Sequence, residues 1–451
     1  MIGVVADDIT GSNDIGIMFS SSGYIADIYS YHSSVRDQLT DGLPDVLIFD
    51  TDSRLDHATE AYQKVYRATK DIQKAGADQF FNKTCSVFRG NIGTEFDAML
   101  DALDEEFAVV VLGFPRNGRT TVDSIHYVYG EKLEDSQFKN DPIHPMTESN
   151  LMNILQAQTK RKVLGLQQNI IKQGAVKIQA AIKKVKAKKQ AQYLVLDVTE
   201  QSDLFEIAKA VKSERIICGS SALGEELPKV QNKQEKKANN LQLPKLESEK
   251  GLFCAAGSLM PQTFKQVEYM KQSGGYVLEL DTVSLLQEDS ASQVESFVKF
   301  IVKKINAGHN VVLHSSNTKD KVIDTKEEAA RRGWSNTRIS RYISETIAEI
   351  TSKVIAQTGQ HRFVVAGGDT SATVCKVMGI KGMRVWEEIQ PGLPSCLSHT
   401  EQPYLIVLKS GSFGDETFIE QAFDHLQHMD DEYNRLISEV KKEGLPNGSG
   451  N

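Results

Sequence analysis

The sequence predicts an α/β protein of two domains, each a mainly parallel sheet flanked by helices, with an active-site cleft between them. Three observations carry that expectation. Val- and Ile-rich runs of strand length alternate with segments of helical period along most of the chain, and such alternation builds parallel sheets covered by helices. From 229 to 250 the alternation gives way to Lys, Gln, Asn and Glu, a composition that cannot bury a core. The 451 residues are also about three times the ~150 of a typical domain. The expected division is a first domain over 1–228, a linker over 229–250, a second domain over 251–445 and a flexible polar tail over 446–451.

In the first domain the strand-like runs are Ile2–Asp8, Tyr24–Tyr31, Val46–Asp50, Phe80–Cys85, Ala108–Phe114, Tyr193–Val198 and Arg215–Gly219. Between them, Phe96, Met99, Leu100 and Leu103 fall on one helical face, as do Tyr62, Val65, Thr69 and Ile72. In the second domain the runs are Leu252–Ser258, Tyr276–Asp281, Val311–Ser316, Arg362–Gly368, Met383–Ile389 and Tyr404–Ser410. A helix is expected over Arg338–Ile355, where Ile339, Ile343, Ile347, Ile350 and Val354 form one stripe.

Composition narrows the class. With 40% apolar and 25% charged residues and a net charge of −8, the chain reads as globular, not disordered, collagen-like or disulfide-stapled. The acidic balance weighs against general nucleic-acid binding. The longest apolar run, Phe107–Phe114, is far short of the ~18 residues that cross a bilayer. No basic stretch precedes Met1-Ile2-Gly3-Val4-Val5, so no signal peptide is expected. Five Cys without a C-x-x-C pair suggest a reducing, cytoplasmic setting and no zinc ribbon. Residues 158–196 carry many Lys and Arg but no Asp or Glu. Because Ile178, Ile182 and Val185 keep an apolar stripe there, a solvated helix face is the favoured reading over an anion-attracting patch.

The chemistry gathers at strand ends, where open parallel sheets bind ligands. The first strand runs into Asp7-Asp8-Ile9-Thr10-Gly11-Ser12-Asn13-Asp14. Its paired carboxylates suit sugar hydroxyls or a metal, although Asp8 or Thr10 capping the next helix explains them equally well. A second strand ends in Lys83-Thr84-Cys85-Ser86-Val87-Phe88-Arg89-Gly90-Asn91. Its two cations, with the planar fork of Arg89, suit a carboxylate. Cys85 has no visible His or acid partner and reads as a packed thiol. Phe114-Pro115-Arg116-Asn117-Gly118-Arg119 adds a further cation-bearing turn.

The second domain's loops differ. Ala256-Gly257-Ser258, Gly367-Gly368-Asp369-Thr370-Ser371 and Lys409-Ser410-Gly411-Ser412-Phe413-Gly414 each follow a strand. Glycine lets backbone N–H groups approach an anion, and a helix N-terminus adds its positive end, so together they suggest a phosphate or nucleotide site. No G-x-x-x-x-G-K-[ST], G-x-G-x-x-G, H-E-x-x-H or G-x-S-x-G motif occurs. His425 and His428, beside Asp424 and Asp430, read as a surface face and not a metal site.

Several of these segments resemble the four-carbon acid sugar kinases. The resemblance runs in order through Ala6–Asp14, Lys83–Gly93, Gly118–Thr121 and Asp141–Pro145, then Gly257-Ser258, Gly367–Thr370, Gly382–Gly392 and Leu408–Asp415. It implies ATP-dependent phosphorylation of a tetronate-type acid, with ATP and Mg2+ as cofactors and no assigned metal ligands. The sugar acid would sit on the first domain and the nucleotide on the second, with contacts at Ser258, Gly367, Gly368, Asp369, Thr370, Gly411 and Gly414. The runs Ser12-Asn13-Asp14 and Arg89-Gly90-Asn91 look closest to the branch acting on D-threonate or D-erythronate, which adds Asn13 and Asn91 to the expected substrate contacts. A 3-oxo-tetronate 4-kinase and a non-catalytic sensor are the alternatives. In this reading Lys83, Arg89 and Arg119 hold the carboxylate. Asp7 or Asp8 binds hydroxyls or takes the proton, with Asp369 as alternative base or metal ligand. The expected partners are a sugar acid and ATP, with neither nucleic acid nor membrane, and self-association is left open.

Overall fold

A computed structural model describes residues 1–32, 43–141, 143–231, 243–244, 246–247, 249–287 and 290–429. Strands of the first domain are β1 (Ile2–Ala6), β2 (Ala26–Ser30), β3 (Val46–Asp50), β4 (Gln79–Lys83), β5 (Ala108–Val111), β6 (Arg119–Val122), β7 (Ile125–Val128), β8 (Glu131–Lys132), β9 (Val163–Leu166), β10 (Tyr193–Leu196) and β11 (Ile216–Gly219). Those of the second are β12 (Phe253–Ala256), β13 (Tyr276–Leu280), β14 (Val311–Ser315), β15 (Arg362–Ala366), β16 (Gly382–Gln390), β17 (Leu393–Ser398) and β18 (Leu405–Lys409). Every expected strand run overlaps one of these strands. The strands not anticipated are the short meander β6–β8, β9 and β17, whose Arg-Thr-Thr, Leu-Gly-Leu and Pro-Ser-Cys sequences break the apolar runs used to find strands. The expected linker falls largely outside the described residues, and so does the 446–451 tail.

The two expected sheets are one. Fifteen strands run in the order β13-β14-β12-β15-β18-β17-β16-β2-β3-β1-β4-β11-β5-β10-β9, with β6-β7-β8 as a separate small sheet. In the large sheet pairing is parallel from β13 to β18 and from β2 to β9, and antiparallel through β18-β17-β16-β2. Strands such as β1, β3 and β15 are buried along their whole length, because helices cover both faces. The long helix Asn336–Thr358 starts where Ser335 accepts from the Arg338 N–H and stops at Gly359 (φ 67°).

At the join, β16 lies against β2 with Gly382 opposite Tyr29, Met383 opposite Ile28 and Arg384 opposite Asp27. Arg384 forks onto Asp27, Nε to Oδ1 at 2.6 Å and Nη2 to Oδ2 at 2.7 Å, while His399 approaches to 3.6 Å. Helix Ile9–Ser20 packs over the seam. Its Gly16 lies so near β16 that a Cβ would come 2.6 Å from Val385 Cγ2. One apolar cluster therefore holds Ile15, Met18 and Phe19 with Val385, Leu393 and Cys396, and the core is shared between the domains.

The basic segment is a solvated face whose cations meet acids from elsewhere in the domain: Arg161 with Asp97 and Asp101, Lys172 with Asp203, Lys186 with Glu214. Exposed pairs of this kind add little stability each.

The seam pair is different, because Asp27 is only 1% exposed. Burial pushes its carboxyl up, but the Arg384 hydrogen bonds and the charges of Arg384 and His399 outweigh burial and hold it below the usual value. Its stabilisation is present above the unfolded carboxylate value of about 3.9 and is lost as pH falls through the lower folded value. Arg384→Met, which strands Asp27, is expected to cost about 3–5 kcal/mol at pH 7 by denaturant unfolding, and less at pH 3. A cost independent of pH would remove the ion pair as its cause.

Candidate active site

Loops following β1, β3, β4, β12, β15 and β18 converge on a cleft of about 810 Å3 between the domains. From the first domain it is lined by Asp8, Thr10, Arg54, Arg89, Asp141 and His144, and from the second by Ser258, Asp369 and the glycine loops. β1 delivers Asp7-Asp8 directly onto helix Ile9–Ser20. Asp8 caps that helix, its Oδ1 accepting from the Gly11 N–H at 2.7 Å. Its other oxygen accepts from Thr10 Oγ1 at 3.0 Å and Arg54 Nη1 at 2.5 Å. Asp8 thus caps the helix and also lines the cleft. Burial pushes its carboxyl up, but Arg54 and Lys83 outweigh this and hold it below the usual range.

Arg54 is the hub of this wall. It forks onto Asp7, Nε to Oδ2 and Nη2 to Oδ1, both 2.7 Å, while its third nitrogen holds Asp8. Asp7, 2% exposed, is occupied by that fork and is not among the residues lining the cleft. Arg89 stands beside it, pairing with Asp141 at 2.7 Å and donating to the Cys85 sulfur at 3.3 Å. Burial raises the Cys85 thiol, but Arg89 and Arg54 outweigh it and bring its pKa below the usual value. Arg54, Asp141 and His144 were not among the expected contacts. Arg54 follows β3 in Thr51-Asp52-Ser53-Arg54, so the strand-end rule applied to that strand finds it.

Other expected contacts lie elsewhere. Lys83 is 2% exposed, pairs with Asp14 at 3.3 Å and donates to the Thr84 carbonyl. Asn13 is fully buried and accepts from the Cys396 thiol across the seam. Asn91 donates to the Ser53 and Asp56 carbonyls and holds that loop. Arg119, fully buried, lies 4.9 Å from the Tyr129 ring centroid and 5.7 Å from that of Phe413. Gly414 packs on Gln266, Leu393 and Phe418 behind the loop. Sequence locates a strand end, but not which side chains of the loop turn inward against the neighbouring domain.

On the opposite wall, helix Gly368–Val377 begins at the cleft with Gly367 at φ 125°, a backbone conformation only glycine adopts freely. Its N-terminus abuts the first domain, since a Cβ at Gly368 would lie 3.1 Å from Asp8 Oδ2. Gly411 packs so closely that a Cβ would fall 2.1 Å from Ser258 Oγ. Open helix-end and loop N–H groups of this sort bind anions. Asp369 meets solvent at the cleft and accepts from Ser340 Oγ at 3.1 Å. The walls desolvate its carboxyl and push it up. Beside the cleft lies a pocket of about 610 Å3 whose apolar lining is Leu259, Val322, Ile339 and Ile343. It was not anticipated, since its residues come from separate elements. Among the described residues no three His, Cys, Asp or Glu side chains gather to hold a metal. His425 instead shares a 2.9 Å hydrogen bond with Ser395. Burial, then Arg362, pushes it down to about 4.

Two family models match the chain: a sugar-binding N-terminal domain over residues 2–227 and a nucleotide-binding C-terminal domain over 253–419. A 3-oxo-tetronate kinase of Haemophilus influenzae is 30% identical over 94% of this chain and 99% of its own. One of Actinobacillus succinogenes is also 30% identical, over 94% and 99%. Among solved structures, a Salmonella typhimurium LT2 protein carrying a provisional tRNA synthase label matches with TM-score 0.77 at 26% identity, covering 94% of this chain and 99% of that one. A Haemophilus influenzae protein matches with TM-score 0.68 at 28% identity, over 93% and 98%. The chain belongs to the four-carbon acid sugar kinase family and is a phosphotransferase with an alcohol group as acceptor.

Behind Asp7 sits Glu95, 2% exposed and accepting from Ser53 Oγ at 2.8 Å. Burial, then the Asp7 charge, pushes its carboxyl up to about 8. The folded protein keeps a proton that the unfolded chain releases near 4.3, so this group erodes stability as pH rises from about 4 through 8. Glu95→Gln stays neutral throughout, and its melting-temperature advantage over the parent is expected to grow between pH 5 and pH 9. An equal difference at both pH values would rule the buried proton out.

Proposed function

We propose that the chain transfers the γ-phosphoryl group of ATP to the terminal hydroxyl of a 3-oxo-tetronate, giving the 4-phosphate. The observation that carries the reading is the meeting, in one cleft, of an arginine-bearing wall with glycine loops and a helix N-terminus. The name shared by relatives aligned over nearly the whole chain supports this substrate. The lean toward D-threonate or D-erythronate gives way to the name those relatives share, and the residues it rested on have protein partners: Asn13 meets Cys396, Asp14 pairs with Lys83 and Asn91 donates to the Ser53 carbonyl.

In this reading the base of ATP lies in the apolar pocket and its phosphates run along Ser258, Gly367–Thr370 and Ser410–Ser412. The fit is chemical: the backbone there offers N–H donors, and only glycine is small enough at 411. Asp369 is the carboxylate that would hold Mg2+, an ion that usually needs only one or two carboxylates and would neutralise phosphate charge there. Arg89 holds the substrate carboxylate by its fork, competing with Asp141. Asp8, kept ionised by Arg54, orients the terminal hydroxyl. As its oxygen bonds to the γ-phosphorus and the bond to ADP breaks, the hydroxyl proton passes to Asp8. Arg54, fixed by Asp7, faces the charge that develops on the transferring group.

ATP turnover measured in a coupled assay is expected to show the highest kcat/KM with 3-oxo-tetronate; a tenfold preference for D-threonate or D-erythronate would overturn the substrate. Arg89→Ala is expected to raise the sugar-acid KM at least tenfold and the ATP KM less than twofold. Equal changes in both would remove the clamp. Asp8→Asn is expected to lower kcat more than a hundredfold, and turnover surviving within tenfold would mean that Asp8 is not the base.

A further inference from the structure

Lys409 ends β18 and is fully buried beneath the loop that follows it. Its ammonium donates to the carbonyls of Ser410 at 2.8 Å and Gly411 at 3.1 Å and to Thr263 Oγ1 at 2.8 Å. Thr263 in turn donates to the same Gly411 carbonyl at 3.0 Å. Two successive carbonyls are thereby drawn to one side. In a trans peptide the next residue's N–H points opposite to the carbonyl, so the Gly411 and Ser412 N–H groups turn the other way. Residues 410–412 line the cleft on that side, and neither N–H donates to any group among the described residues.

Lys83 makes an instructive comparison. It ends β4 in the same manner, also buried, with its ammonium on the next residue's carbonyl at 3.1 Å. Asp14 balances that charge from 3.3 Å. No carboxylate among the described residues pairs with Lys409, and burial pushes its ammonium down to about 7. A buried charge without a counter-charge is costly.

We propose that Lys409 is a positioning residue: from behind the loop it clamps the Ser410 and Gly411 carbonyls, aims the Gly411 and Ser412 N–H groups at nucleotide phosphates, and takes from those phosphates the counter-charge it lacks. The inference rests on the nucleotide site proposed above. It makes the loop a nest built by a side chain that touches no ligand, and it predicts an effect confined to the phosphate part of the nucleotide.

The test compares wild type with Lys409→Met, similar in length but unable to donate. Dissociation constants for ADP and for adenosine are read alongside KM for ATP and for the sugar acid. Lys409→Met is expected to weaken ADP and raise the ATP KM at least tenfold, with adenosine affinity and sugar-acid KM within twofold of wild type. Unchanged ADP affinity overturns the proposal, and so does an equal loss of ADP and adenosine, which would mark general damage to the fold. Wild-type protein that binds no ADP would instead sink the nucleotide site itself. Should Lys409→Met fail to fold, Thr263→Val, which removes one hold on Gly411, is expected to weaken ADP severalfold and leave adenosine unchanged. Parity of the two again overturns the role.

Discussion

The antiparallel pairing of β16 with β2 makes one sheet of two, and hydrogen-bond parity then sets the first domain's strands against those of the second. On a flat sheet this would send the two sets of carboxyl ends in opposite directions. Sheets twist, however, by about 20–25° per strand. Over the six steps from β15 to β1 the rotation accumulates to about 120–150° and turns the carboxyl ends back toward each other. Asp8 after β1 and Gly368 after β15 consequently touch. The Asp27–Arg384 pair and helix Ile9–Ser20 hold that seam together.

Charge inside the cleft walls is arranged in layers. Asp7 fixes Arg54, Arg54 fixes Asp8, and Asp141 fixes Arg89. Each of these cleft-side charges is held by an opposite charge beside it, and Asp7 stands behind the lining residues. Buried ions without such partners would be strongly penalised, and with them the arginines keep their charge and direction before any substrate arrives. That is the preorganisation a phosphoryl transfer needs, because its chemistry is mostly positioning and neutralisation. The second wall is backbone: a helix N-terminus and loop N–H groups that present positive ends where the first wall presents side chains.

The strand runs, the glycine-bearing loops and the strand end that brings Asp8 to the cleft were legible in the sequence because they are local. Burial on both faces writes itself as continuous Val and Ile runs, and strand ends write themselves as Gly, Asp and Ser. What was not legible is which loop side chains turn inward. Lys83 and Arg89 lie six residues apart, one ending β4 and the other in the loop after it, yet the first is buried against Asp14 and the second lines the cleft. Arg119 reads as a carboxylate-holding cation and is fully buried near two rings, one of them supplied by the other domain.

The sequence by itself determined an α/β chain of two halves, its strand ends, and the chemical character of each half: carboxylates and cations in the first, glycine and hydroxyls in the second. Those follow from propensity and burial, which act over a few residues. Only the tertiary structure decided that the halves share one sheet, that Asn13 meets Cys396 across the seam while Asp14 pairs with Lys83, and that Arg54 governs the acids that follow β1. Pairing partners, twist and the closing of a cleft are set by contacts hundreds of residues apart in the chain, as with Asp27 and Arg384, and no local pattern encodes them.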